Sequence, residues 1–313
     1  MSPTELVDQV VNAVLYEGYL LYPYRTSSVK NQVRWTFGGV YPRVFSEENG
    51  GSDAWRMQTE CLLRPEPGCT VDVEVRFLHL LETTTAGGRP RQEATERRVG
   101  ATGLDVSALE GHQVTVPISF AASTEESDGV AREAEEIEAV AEVGVEPVAD
   151  GALRLRVAIH NHTPVAPGLS REDALRRSLV SANTLLRLHG GAFVSQTDVP
   201  SDLADAAAQC RNVGTWPVLV GEPGSLDTML SSPIILEDHP RVAPESPGDL
   251  FDSTEIDEIL SLRILALSDE EKAEVRQGDD RARALLERTE SLTADELMKM
   301  HGAVRGLRPA EEG

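Results

Sequence analysis

The 313-residue chain carries 52 Asp and Glu against 29 Lys and Arg, a net charge of -23, and only 4% of its residues are aromatic. A field of that sign opposes polyanions and excludes a general nucleic-acid or anionic-membrane binder. The three cysteines, Cys61, Cys69 and Cys210, form no CxxC pair, which excludes a disulfide scaffold or zinc ribbon and fits reduced cytosolic thiols.

The amino terminus has Glu5 and Asp8 where a leader would be basic, and no apolar run reaches membrane-spanning length. A cytoplasmic location without membrane insertion is therefore expected. Thr4 is placed to cap a helix to about Tyr16, because Leu6, Val10, Val11, Val14 and Leu15 recur at helical spacing. The next stretch reverses the character of the chain. Eight of the fourteen aromatic residues lie between Tyr16 and Phe45, and from Gly18 to Ser46 there is no acid but there are Arg25, Lys30, Arg34 and Arg43. Tyr22-Pro23-Tyr24 is extended by the proline, and Gly38-Gly39 marks a turn, so residues 1–46 are read as a helix and an aromatic-basic tract packing on a β domain.

Period-two alternation begins after Trp55. Val71, Val73, Val75 and Phe77 alternate with Asp72, Glu74 and Arg76, which predicts a strand with one wet face. Further strands are expected at Trp55 to Leu63, Glu93 to Val99, Val114 to Phe120 and Leu153 to Ile159, an antiparallel domain over residues 47–168. The acidic stretch from Glu125 to Glu142 is compatible with a strand pair, a helix or an insertion. Beyond it, Ser170 followed by Glu172 and Asp173 reads as a helix start leading into Leu175, Leu179 and Leu186, and Ala204 to Ala208 keeps helical composition. Residues 214–253 form a Pro/Gly-rich connection. Helices are expected at Thr254 to Leu267, Ser268 to Gln277, Asp280 to Glu290 and Thr293 to Val304. The fold class is accordingly α+β: an antiparallel β-sandwich or partly closed barrel followed by a mostly helical C-terminal region, an α-rich domain over 169–313.

No nucleophile elbow, phosphate-cradling loop or EF-hand loop is present, so no catalytic residue and no cofactor is predicted. His160 and His162 sit two apart at a strand end; a continuing strand puts both on one face, as a metal site needs, whereas Asn161, Thr163 and Pro164 read as a strand-ending turn that makes them part of a polar loop. In the aromatic-basic tract, Tyr22, Tyr24, Arg25, Lys30, Arg34, Trp35 and Tyr41 combine the residue types that dominate protein interfaces with cations that select an acidic partner. The same tract is equally read as a packed aromatic layer.

The strings LYPYRTSSVKNQVRWTFGGVYPR, from Leu21 to Arg43, and SSPIILEDHPRVAPESPGDLFDSTEIDEILSLRILALSDEEK, from Ser231 to Lys272, resemble an uncharacterised bacterial family associated with gene clusters for nickel-iron uptake hydrogenases. The resemblance implies a non-enzymatic accessory, assembly or maturation-support protein, with a hydrogenase subunit or maturation factor as partner. Two other functions stay open on the residues: a metal-handling protein using His160 and His162, and a ligand-binding β-sandwich whose aromatic tract lines a groove.

Overall fold

The computed structural model describes residues 3–16, 38–85, 90–127, 129–149 and 151–241, together with residues 269, 272, 276, 283, 286, 287, 290 and 291. The chain divides into two compact units, one of residues 1–15 and 36–241 and one of residues 16–35 and 242–313. In the second unit the described residues 269 to 291 are all helical, with Lys272 and Arg276 both paired to Glu290 at 3.2 and 2.7 Å. The expected helices at Thr254 to Leu267 and Thr293 to Val304 lie outside the described residues.

In chain order the elements are α1 (Pro3–Tyr16), α2 (Arg43–Glu48), β1 (Arg56–Thr85), β2 (Arg91–Asp105), β3 (Val114–Phe120), β4 (Ser123–Ser127), β5 (Val130–Ala134), β6 (Ile137–Ala149) and β7 (Ala152–Asn161). They continue with α3 (Arg171–Arg176), β8 (Val180–Phe193), α4 (Ala204–Ala208), β9 (Trp216–Leu219) and β10 (Thr228–Ser232). The ten strands form one sheet in the order β3-β6-β7-β1-β8-β10-β9, with β2 and β5 also paired to β1 and β4 paired to β5.

This corrects the expected fold class. The protein is mostly β, 51% strand and 18% helical, with one large antiparallel sheet and no mostly helical C-terminal region among the described residues. The main reason lies in β8. Its Leu-rich run was expected to continue a helix from Leu175, but Ala182, Leu186 and Leu188 face one core while Leu185 faces another. A strand buried on both faces reads as a continuous apolar run, and such a run does not distinguish strand from helix by its period. The helix begun at Ser170, whose hydroxyl accepts the Asp173 N–H, ends at Arg176.

Strand β1 is 30 residues long because a bend, not a break, separates its two halves. Arg56 to Leu63 pair with β7, Leu63 to Leu78 pair with β8, Thr70 to Thr83 pair with β2, and Leu81 to Thr85 pair with β5. Pro65, Pro67 and Gly68 make the bend, since proline has no N–H to continue a ladder, and the register with β8 shifts between Pro65 and Thr70. Opposite the bend, a Cβ on Gly191 would lie 2.9 Å from the Arg64 carbonyl oxygen, so only glycine lets β8 follow the turn.

The main core collects one face of the bent sheet. Val71, Val73, Val75 and Phe77 of β1 meet alternate residues of β6 (Ile137 to Val145) and β7 (Leu153 to Ile159). The sheet curls until Phe120 of β3 lies edge-on to Phe77 of β1 at 5.9 Å, with the Arg97 guanidinium of β2 at 4.7 Å from the same ring. On the opposite face, α1 lays Val7, Val10, Val11 and Val14 on Leu185, Val218, Val220 and Leu230. Burial of each such side chain contributes roughly 1.5 to 3 kcal/mol. A buried Arg76 fixes the helix register by donating to Asp8 at 2.8 Å and pairing with Glu74.

Asn161 is buried at the end of β7, and its amide nitrogen donates to the carbonyls of Val40 and Arg177 at 2.8 and 2.9 Å while its oxygen accepts the Thr163 N–H at 2.9 Å. Asn161→Ala removes three hydrogen bonds and leaves the Thr163 N–H and the Arg177 carbonyl without that partner, while the Val40 carbonyl keeps the Leu179 N–H at 3.2 Å; each unsatisfied group costs about 1 to 3 kcal/mol. Thermal or urea denaturation is expected to show a loss of about 3 kcal/mol, and a variant within 0.5 kcal/mol of the parent would contradict this role.

His79 is fully buried, and neither ring nitrogen makes a well-formed hydrogen bond to a described residue, the nearest help being the Glu135 backbone. Burial, and then the neighbouring Arg97, push its pKa down from 6.5 to about 4, with partial compensation from the Glu135 backbone. The unfolded chain therefore binds the proton more tightly than the folded one. Stability from the neutral ring is complete above pH 6.5 and falls as pH drops through the window to about 4, by about 3 kcal/mol in all. His79→Leu is expected to flatten that limb of a denaturation series measured against pH.

Candidate basic surface on the outer sheet face

Alternation along β7 sends Leu153, Leu155, Val157 and Ile159 to the core. Arg154, Arg156 and His160 consequently leave by the other face. Their register partners on β1 are Leu62, Glu60 and Arg56, respectively, so cations from two adjacent strands share one surface. At one end, α4 covers Leu62 and Ala152 with Ala206 and the preceding Leu203. Past α4 the chain runs beside β1, with Gln58 and Val213 exchanging backbone hydrogen bonds of 3.1 and 2.8 Å. That passage brings Arg211 to the same face.

A cleft of about 480 Å3 lies there, lined by Glu60, Arg154, Ala208, Gln209 and Arg211. Glu60, 8% exposed, is already engaged: Oε2 accepts the Arg211 backbone N–H at 2.7 Å and Oε1 accepts Gln58 Nε2 at 3.0 Å. Arg154 pairs with the exposed Glu146, donates a long 3.4 Å bond to the Ala206 carbonyl and lies against the Cys210 thiol. Arg156 donates to Gln58 Oε1 at 2.9 Å. Arg56, Arg156 and Arg211 make no ion pair with a described residue.

At the other end of the face, Trp55 stands 5.3 Å from the His160 ring and 6.0 Å from His162, and the Arg43 guanidinium lies 4.7 Å from the Trp55 ring. The intervening Asn161 turns inward, so both histidines are outward, 5.9 Å apart between ring centres. They are brought together although β7 ends between them. No group of three His, Cys, Asp or Glu able to hold a metal occurs among the described residues. The His160 pKa is lowered, first by burial and then by His162, Arg156 and Arg56, with Glu142 opposing.

Of the seven residues singled out in the aromatic-basic tract, Tyr41 alone is described, and it is buried at 2% exposure. Its ring stacks on Phe45 at 5.6 Å, and its hydroxyl accepts from Arg171 Nη2 at 2.7 Å while Arg171 also holds Asp53. Tyr41 thus serves packing. Tyr22, Tyr24, Arg25, Lys30, Arg34 and Trp35 lie outside the described residues.

The thiols are free. Burial raises the pKa of Cys61, Cys69 and Cys210, and at Cys210 the adjacent Arg154 works the other way. None is poised as a thiolate.

Trp55, Arg56, Arg154, Arg156 and Arg211 were not singled out by sequence. A signal existed for two of them: in Leu153 to His160, Arg154 and Arg156 occupy alternate positions of a predicted strand whose other positions are apolar. No helix among the described residues is long and apolar enough to cross a membrane. Compared with known proteins, the chain matches no protein-family model and no curated protein.

The depressed basicity of His160 is measurable. Its ring proton resonance, assigned by its loss in His160→Gln, is expected to titrate with a midpoint below the ordinary 6.5, and a midpoint above that value would contradict the packing against Trp55.

Proposed function

We propose that this protein works through protein contacts, as a non-enzymatic accessory or assembly-support protein for a nickel-iron hydrogenase, and that the outer face of β1 and β7 is a docking surface for an acidic partner. The observation that carries the docking reading is that Arg56, Arg156 and Arg211 share a face without an ion pair to a described residue, with Trp55 and two histidines at one end of it, on a chain of net charge -23. Arg and Trp are enriched among residues that dominate interface energies. Unpaired cations of this kind guide an acidic surface into register and raise its association rate. Acids also occupy the face, but Glu60 and Glu146 are engaged with neighbours, while Glu142 lies near His160. The hydrogenase context rests on the resemblance of Leu21 to Arg43 and Ser231 to Lys272.

Affinity purification of the full chain from its native host, with mass spectrometry of bound proteins, is expected to recover a hydrogenase subunit or maturation factor. Recovery should fall as salt is raised well above physiological strength, because the Debye length, about 8 Å there, then shrinks toward the contact distance. Arg56→Glu combined with Arg156→Glu is expected to weaken the contact at least tenfold, about 1.4 kcal/mol, while leaving the melting temperature within about 2 °C of the parent. Undiminished recovery by that variant would remove the outer face from the proposal, and recovery of neither hydrogenase protein would remove the assembly role.

A further inference from the structure

We infer that the cleft at the α4 end of the outer face is a carboxylate subsite, in which one Asp or Glu side chain of an acidic protein segment is held between Arg154 and Arg211. The inference rests on the docking reading and names the group that would anchor it.

Four observations converge on this cleft. Two arginines line it, Arg154 from β7 and Arg211 from the segment after α4, and Arg211 makes no ion pair with a described residue. Its single lining acid is satisfied from behind, by the Arg211 backbone and by Gln58, so Glu60 stiffens the floor without taking up the Arg211 side chain. The segment carrying Arg211 is tied to β1 by the paired Gln58 and Val213 bonds and by Asn212 Oδ1, which accepts the Glu60 N–H at 2.8 Å. The backbone on both sides of the cleft is therefore fixed before a ligand arrives, which reduces the ordering that binding would require. A volume of about 480 Å3 is ample for one acidic side chain with its flanking backbone. Glu146 holds Arg154 from an exposed position, so an incoming carboxylate must share or displace it there, and Arg211 is the freer of the two cations. Guanidinium groups accept carboxylate in paired hydrogen bonds, which gives the subsite direction as well as charge.

The test uses the intact chain and a fluorescein-labelled octaglutamate peptide, read by polarisation at physiological ionic strength, with octaglutamine as the uncharged control. Octaglutamate is expected to bind and octaglutamine not to bind. Arg211→Ala keeps the backbone N–H that Glu60 needs and is expected to weaken octaglutamate binding by about tenfold or more, the effect of one lost charged hydrogen bond. Arg154→Gln should do the same, with its melting curve checked because Arg154 also braces α4. If Arg56→Ala weakens binding and both cleft variants bind like the parent, the carboxylate rests elsewhere on the face, and the subsite is overturned while the docking surface stands. If octaglutamate does not bind the parent, the subsite is overturned, and hydrogenase recovery separately decides the docking reading. Tighter binding of a single-stranded oligonucleotide than of octaglutamate also overturns it. Sensitivity to Arg211→Ala with no hydrogenase protein recovered would keep the subsite and remove the assigned partner.

Discussion

The pairing of β1 with four other strands is the constraint on which the sheet depends. Its first half needs β7 on one side, and its second half needs β8 and β2 on either side. One continuous strand serves both sets only by bending, and Pro65 to Gly68 provide the bend where backbone donors are fewest. The partners must then accommodate it. Gly191 lets β8 pass the Arg64 carbonyl, and Gly100 lets β2 approach the Val73 carbonyl oxygen, from which an added Cβ would be only 2.2 Å away. Gly103 completes the β2 irregularity with positive φ, and its N–H is held by Asp72 at 2.7 Å. The bend and its two complementary irregularities form one device distributed over three strands.

The same bend sorts the arginines by environment. Past it, Arg76 of β1 points under α1, is buried, and has Asp8 and Glu74 as partners, which is the condition for tolerating a guanidinium away from water. Before it, Arg56 of β1 and Arg156 of β7 point to the outer face and take no carboxylate from a described residue. Removing Asp8 would leave Arg76 a partly compensated buried charge, whereas nothing in the fold requires Arg56. Arginines of the first kind hold the helix on the sheet. Those of the second kind are available to a partner.

What could be read locally was read well. Val71 to Phe77 and Val114 to Phe120 declare their strands by period two, and Leu6 to Leu15 declare α1, because each has one wet face. The β8 run failed for the opposite reason, since α1 covers the face that water would have marked with polar residues. The separate strands expected at Trp55 to Leu63 and Val71 to Phe77 are one strand, because proline and glycine mark a departure from the ladder without saying whether it is a turn or a bend. The candidate surface was less legible. His160 and His162 lie side by side although β7 ends between them, so the strand-ending turn, not continued alternation, keeps His162 beside His160. Trp55 and Arg211 were invisible because they join that face through β1 pairing and the Gln58 to Val213 bridge, contacts separated by about a hundred residues or more in sequence.

The chain's net charge also constrains how strongly such a surface can act. Over distances beyond a Debye length an approaching acidic protein meets the field of the whole molecule, which is negative and repels it. Closer in, the potential is set by the nearest side chains, and on the outer face Arg56, Arg154, Arg156 and Arg211 outnumber Glu60, Glu142 and Glu146. Long-range steering and short-range attraction therefore have opposite signs. Added salt removes the first before the second, because contacts of a few ångströms in a partly dehydrated cleft are screened less than charges spread over the surface. An acidic partner should accordingly associate more readily as salt rises from very low values, and lose affinity only when screening reaches the contact distance. A uniformly basic protein would show only the loss. This non-monotonic dependence belongs to a cationic patch on an acidic body, and it distinguishes local carboxylate recognition from nonspecific adhesion.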